Sequence, residues 1–91
     1  MEGQINMENF KEYYPVFFFK DNKKIEELLV ADTFNGLTIL TEAERLFKLM
    51  NAHNLILHPT YDMLTLTYDN HVYTKKYYPD GDVEYRITEL K

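Results

Sequence analysis

Residues 61–90 read Y-D-M-L-T-L-T-Y (61–68), D-N (69–70), H-V-Y-T-K-K-Y-Y (71–78), P-D-G-D (79–82) and V-E-Y-R-I-T-E-L (83–90). Three runs rich in β-branched and aromatic residues are separated by two turn signals, the pattern of a three-stranded antiparallel meander. Asp69-Asn70 fits a two-residue turn with both residues at φ > 0, which Asp and Asn tolerate better than most. That turn pairs Tyr68 with His71, Leu66 with Tyr73 and Leu64 with Lys75.

The second turn admits two registers. A four-residue loop from Pro79 to Asp82 sets Lys75 opposite Arg86 and scatters apolar residues over both faces. A type I turn on Pro79-Asp80, followed by left-handed Gly81, makes a three-residue loop with a bulge. It pairs Tyr77 with Val83, Lys76 with Glu84 and Tyr73 with Ile87. One face then carries Leu64, Leu66, Tyr68, Tyr73, Tyr77, Val83, Tyr85 and Ile87. The other carries Thr65, Thr67, Thr74, Lys76, Glu84, Arg86 and Thr88, with Met63 and Val72. A one-residue slip would move every side chain to the opposite face, so this clean separation decides for the bulged register.

Upstream, Met1 to Asn9 reads as a flexible terminus and residues 10–91 as a single α+β domain. Val16-Phe17-Phe18-Phe19 is a short apolar run suited to a strand, either buried on both faces or with one face left for a partner. Asp21-Asn22 breaks it. Residues 23–34 fit two patterns. Ile25, Leu28 and Leu29 sit at helical spacing behind Asn22, while Leu28-Leu29-Val30 also suits a strand. Asn35-Gly36 is a strong hairpin signal and favours a strand over residues 28–34.

Thr41 and Glu44 form a capping box that predicts a helix over about residues 41–53. Its apolar stripe is Ala43, Leu46, Phe47 and Met50, widened by Leu49, with Glu42, Arg45, Lys48 and Asn51 on the wet face. Leu55-Ile56-Leu57 suggests a short further strand before His58-Pro59. The expected architecture is a two-layer α+β domain, an antiparallel sheet with a C-terminal three-stranded meander packed on one main helix.

Composition closes several functional classes. The 91 residues contain neither cysteine nor serine, so Ser-His-Asp and Cys-His nucleophiles, disulfides and zinc-thiolate sites are excluded. The three glycines, Gly3, Gly36 and Gly81, are isolated, which rules out a phosphate-cradling loop. His53, His58, Asp62 and His71 match no metal-ligand spacing, so no metal site is assigned. Glu26-Glu27, Glu42/Glu44 and Asp80/Asp82 read as solvated turn or helix-start carboxylates, not an acid–base pair. The expectation is a non-enzyme without cofactors. No apolar run approaches the ~20 residues of a membrane span, which gives an expected cytoplasmic location and no membrane partner. Frequent Asn, Lys, Ile, Tyr and Phe suggest an A/T-rich coding sequence, as in low-GC bacteria and phages.

The feature above background is aromatic content: eight tyrosines and six phenylalanines without a tryptophan. Neighbours on a strand point to opposite faces, so Tyr77 and Tyr78 cannot enter the same core. Tyr78, Met63 and Tyr61 therefore group on the outer face, with Phe17, Phe18 and Phe19 as N-terminal counterparts. Exposed Tyr, Phe and Met are typical hot-spot residues. The function expected is a small protein-binding or regulatory module acting through this aromatic face, with self-association as a homodimer also compatible. Two alternatives use other chemistry. The net charge of −5 suits an acidic phage-type mimic of nucleic-acid phosphates that inhibits a DNA- or RNA-handling protein. Tyrosines beside Lys75, Lys76 and Arg86 suit stacking of a single-stranded nucleic acid, which the same charge opposes.

Overall fold

Two Asp-Asn dipeptides punctuate the chain. In the computed structural model, which describes residues 12–53 and 60–91, Asp21, Asn22, Asp69 and Asn70 all have positive φ, at 52, 66, 51 and 62°. Each dipeptide closes a two-residue hairpin whose twist matches that of its strands. The first joins β1 (Tyr13–Lys20) to β2 (Lys23–Ala31), and the second joins β3 (Met63–Tyr68) to β4 (His71–Tyr77). Gly81, at φ 98°, completes the bulged turn into β5 (Val83–Glu89). Helix α1 (Gly36–Ala52) lies between the two hairpins in sequence.

The meander has the expected register throughout. Tyr68 faces His71, Leu66 faces Tyr73, Tyr77 faces Val83 and Tyr73 faces Ile87. The five strands form one antiparallel sheet in the order β2-β1-β3-β4-β5. The helix connection carries the chain across β1, so β3 pairs with β1, Phe17 facing Thr65 and Phe19 facing Met63. Pro15 is tolerated inside the sheet because the ladder to β3 runs only from Val16 to Phe19.

The segment around residues 28–34 is a strand as expected, but its bounds shift to Lys23–Ala31, and the hairpin expected at Asn35-Gly36 is corrected. β2 is set by the turn at Asp21-Asn22 and ends at Ala31, and Asn35 is the N-cap of α1. Its side chain accepts a hydrogen bond from the Thr38 backbone N–H at 3.0 Å, satisfying one of the free donors of the first turn. The helix thus starts five residues before the expected Thr41. Thr41 sits inside it and donates its hydroxyl to the Leu37 carbonyl at 2.9 Å. Glu44 points into the domain rather than back at a cap, and Leu49, 47% exposed, lies off the stripe.

One face of α1 supplies Ile39, Leu40, Ala43 and Phe47, which pack on Val16, Phe18, Val30, Leu64 and Leu66 from the sheet. Phe18 and Phe47 stack with ring centroids 4.5 Å apart, and Tyr61 meets both edge-on at 5.0 and 5.1 Å. A helix is about 10 Å across, while five strands spaced ~4.8 Å apart span about 19 Å. One helix cannot cover them all. Among the described residues α1 contacts β1 to β4 and not β5. Val83, Tyr85 and Ile87 lie on the expected face yet stay exposed. The expected strand at Leu55–Leu57, His58 and the N-terminal segment fall outside the described residues.

Candidate functional site: the helix-free face of the sheet

Strand alternation sends Tyr13, Pro15, Phe17 and Phe19 of β1 to the face opposite the helix. The pairings extend two rows across the sheet on that side. One runs Lys24, Phe19, Met63, Lys76, Glu84, and the next runs Glu27, Phe17, Thr65, Thr74, Arg86. Leu29 stands beside Pro15 on the same face. Leu29 is 62% exposed, Tyr13 60% and Tyr78 38%, while Phe17, Phe19 and Met63 are half-buried by their neighbours. Among the described residues nothing packs over this face.

Its aromatic rings are held by charge. The Lys24 ammonium lies 5.0 Å from the Phe17 centroid and Lys76 lies 5.3 Å from that of Tyr78. Tyr78 donates its hydroxyl to Glu84 Oε1 at 2.6 Å, and Arg86 Nη2 donates to Glu84 Oε2 at 2.9 Å. These two donors hold the Glu84 carboxyl below its ordinary pKa, and the same carboxylate raises that of Tyr78. Two shallow hollows of about 280 and 220 Å³ share Met63, Lys76 and Tyr78.

The six sequence-predicted residues divide between the two faces. Phe17, Phe19, Met63 and Tyr78 come together on the open one. Phe18 is corrected: it is fully buried against Phe47, because alternation allows only every second member of a Phe run to face outward. Tyr61 is corrected too. It precedes β3 and turns to the helix side, where its hydroxyl donates to Glu44 Oε2 at 2.6 Å. Tyr13 and Leu29 join the face without having been expected. The missed signal was the first Asp-Asn turn, which fixes the strand that carries Leu29.

The helix side holds a second feature. Lys75 alternates inward between Tyr73 and Tyr77 and donates to Glu44 Oε1 at 2.8 Å, with side-chain exposures of 15% and 9%. Burial pulls the Lys75 pKa down, but hydrogen bonding and charge pairing, chiefly with Glu44, override it and leave the pKa raised. Burial and then the Glu44 hydrogen bond raise that of Tyr61. A hollow of about 340 Å³ lies beside this cluster, lined by Phe47, Lys48, Asn51, Thr60, Tyr61 and Tyr77. Tyr61 and Lys75 each donate to a different oxygen of Glu44, so the three side chains form one hydrogen-bonded network between helix and sheet.

Among the described residues no group of three or more His, Asp or Glu side chains is placed to hold a metal, and no helix is long and apolar enough to cross a membrane. No protein family, no curated protein and no solved structure matches this chain.

Proposed function

We propose that this chain is a non-enzymatic protein-binding module that docks its partner on the helix-free sheet face, over Tyr13, Phe17, Phe19, Leu29, Met63 and Tyr78. The observation that carries this reading is the apolar and aromatic band on that face, left uncovered among the described residues although the opposite face has a packed helix. Aromatic and Met side chains rimmed by Lys24, Lys76, Glu84 and Arg86 follow the apolar-centre, polar-rim arrangement of protein interfaces.

The test is affinity capture on the immobilised chain from lysate of the source cell. Tyr78→Ala and Leu29→Lys are expected to lose a captured protein while keeping the wild-type melting temperature. Leu49→Lys, an exposed position on the helix, is expected to retain it. A captured protein unaffected by both sheet substitutions refutes the reading, and so does unfolding caused by Tyr78→Ala.

A second reading draws on Lys24 over Phe17 and Lys76 over Tyr78, which resemble the base-stacking platforms of single-strand binders. A salt-sensitive mobility shift with oligothymidine, lost in Tyr78→Ala, would favour it. Phosphate mimicry has less support on this face, where Glu27 and Glu84 stand among Lys24, Lys76 and Arg86.

A further inference from the structure

We propose that β5 pairs edge to edge with β5 of a second copy, antiparallel and centred on Tyr85, to build one continuous ten-stranded sheet. This edge adjoins the outer-face docking site and shares Glu84 and Arg86 with its rim, but main-chain groups and a two-fold axis define it.

The open edge has a determined polarity. Tyr78 N–H donates to the Asp82 carbonyl at 2.9 Å, and Leu90 N–H donates to the Asn70 carbonyl at 2.9 Å. Even-numbered residues of this segment therefore turn their backbone groups toward β4. In an antiparallel ladder the alternate residues turn theirs the other way. The N–H and C=O groups of Val83, Tyr85, Ile87 and Glu89 face the edge that no strand pairs among the described residues.

A two-fold axis normal to the sheet matches odd residues with odd ones, so the centre must fall on a residue. Centred on Tyr85, the axis sets Tyr85 against its own copy and Val83 against Ile87 of the second copy, all at hydrogen-bonded sites. Glu84 then faces Arg86 of the second copy, twice, at the non-hydrogen-bonded sites where side chains approach most closely. The neighbouring registers lack this match. A centre on Glu84 or Arg86 sets that charge against itself, and a centre on Ile87 sets Glu84 against Leu90 and Arg86 against Thr88.

Side-chain burial agrees with the Tyr85 centre. Val83, Tyr85 and Ile87 are 43, 57 and 51% exposed on the helix side, beyond the reach of α1. Pairing joins them to the same residues of the second copy. The opposite edge of the sheet is blunted. Phe18 faces Glu26 while Phe19 faces Lys24, which leaves Ile25 as an extra bulged residue in β2. A bulge interrupts the regular edge that strand addition requires.

Sedimentation equilibrium on the full chain is the first test, with a dimer expected. Glu84→Arg and Arg86→Glu each place like charges opposite one another, and each should weaken the dimer about ten-fold. An equimolar mixture of the two variants should dimerise at wild-type concentrations, since each Arg then meets a Glu. Unchanged circular dichroism of the variants shows that the fold is kept. The register is read separately by oxidation, because the chain has no cysteine of its own. Tyr85→Cys should crosslink to its copy, the Cα atoms lying about 5.5 Å apart. Ile87→Cys should not, being about 14 Å from its copy. A monomeric wild-type mass at ~1 mM, a mixture no tighter than the single variants, or crosslinking of Ile87→Cys in preference to Tyr85→Cys overturns the proposal.

Discussion

Replacing Glu44 with Leu while keeping Lys75 removes one side of a largely buried ion pair. The two side chains are 9% and 15% exposed and meet at 2.8 Å. Leaving one buried charge uncompensated costs about 3–5 kcal/mol, and the residual exposure of Lys75 places this case near the lower end, about 3 kcal/mol. Tyr61 also loses the acceptor it reaches at 2.6 Å, which adds about 1 kcal/mol. The expected total is about 4 kcal/mol, a large share of the roughly 5–14 kcal/mol that holds a 91-residue domain together. Lys75→Met leaves the Glu44 carboxylate unpaired but keeps its Tyr61 hydrogen bond, and should cost about 3 kcal/mol. The double variant Glu44→Leu/Lys75→Met replaces the pair with apolar groups of similar size and should fall within about 1 kcal/mol of wild type. Urea unfolding of the four proteins, compared at constant m-value, measures the coupling directly. Additive costs, or a mild Glu44→Leu variant, would refute the structural role given to this pair.

Three further outcomes follow from local geometry. Gly36→Ala, a change that normally favours a helix, should instead destabilise by about 1–2 kcal/mol, because the new methyl group meets the Tyr73 ring; a raised melting temperature contradicts the close approach. Asn35→Ala should cost about 1 kcal/mol and Asn35→Gly only a few tenths, the signature of an N-cap read by thermal unfolding. Stability should fall as pH rises above about 10, because native Tyr61 keeps a proton that the unfolded chain, with its ordinary pKa of 10.0, releases. Lys75, also raised, acts in the same direction. Melting curves of Tyr61→Phe should lose less stability over that range, and an identical pH slope would contradict the burial given to Tyr61.

The meander was legible because its signals are local. Asp69-Asn70 and Pro79-Asp80-Gly81 each fix a turn geometry, and the period-2 pattern then admits one register. The first half was misread because Asn and Gly serve two purposes. Asn35-Gly36 looks like a hairpin turn, yet Asn35 caps the helix in an extended conformation (φ −164°) and Gly36 provides the space for Tyr73. Asp21-Asn22 carried the same information as Asp69-Asn70 but lay beside residues whose spacing also suits a helix. The partnership of Glu44 and Lys75 could not be read locally, since the two are 31 positions apart and meet only once the helix crosses the sheet. The exposure of Tyr85 and Ile87 depends on how far one helix reaches over five strands, which alternation does not encode. On the candidate face, alternation separates Phe17 and Phe19 from Phe18, whereas bringing Phe19 beside Met63 required the β1–β3 pairing.

The measurement closest to the central claim is methyl NMR with a soluble nitroxide, with and without the captured partner. In the free protein, Leu29 and Met63 should relax strongly, as Leu49 does on the exposed helix side, while buried Leu64 and Leu66 stay shielded. Adding the partner should shield Leu29 and Met63 and leave Leu49 unchanged. Leu29 and Met63 already shielded in the free protein, or unaltered when the partner binds, would contradict the assignment of the helix-free sheet face as the docking surface.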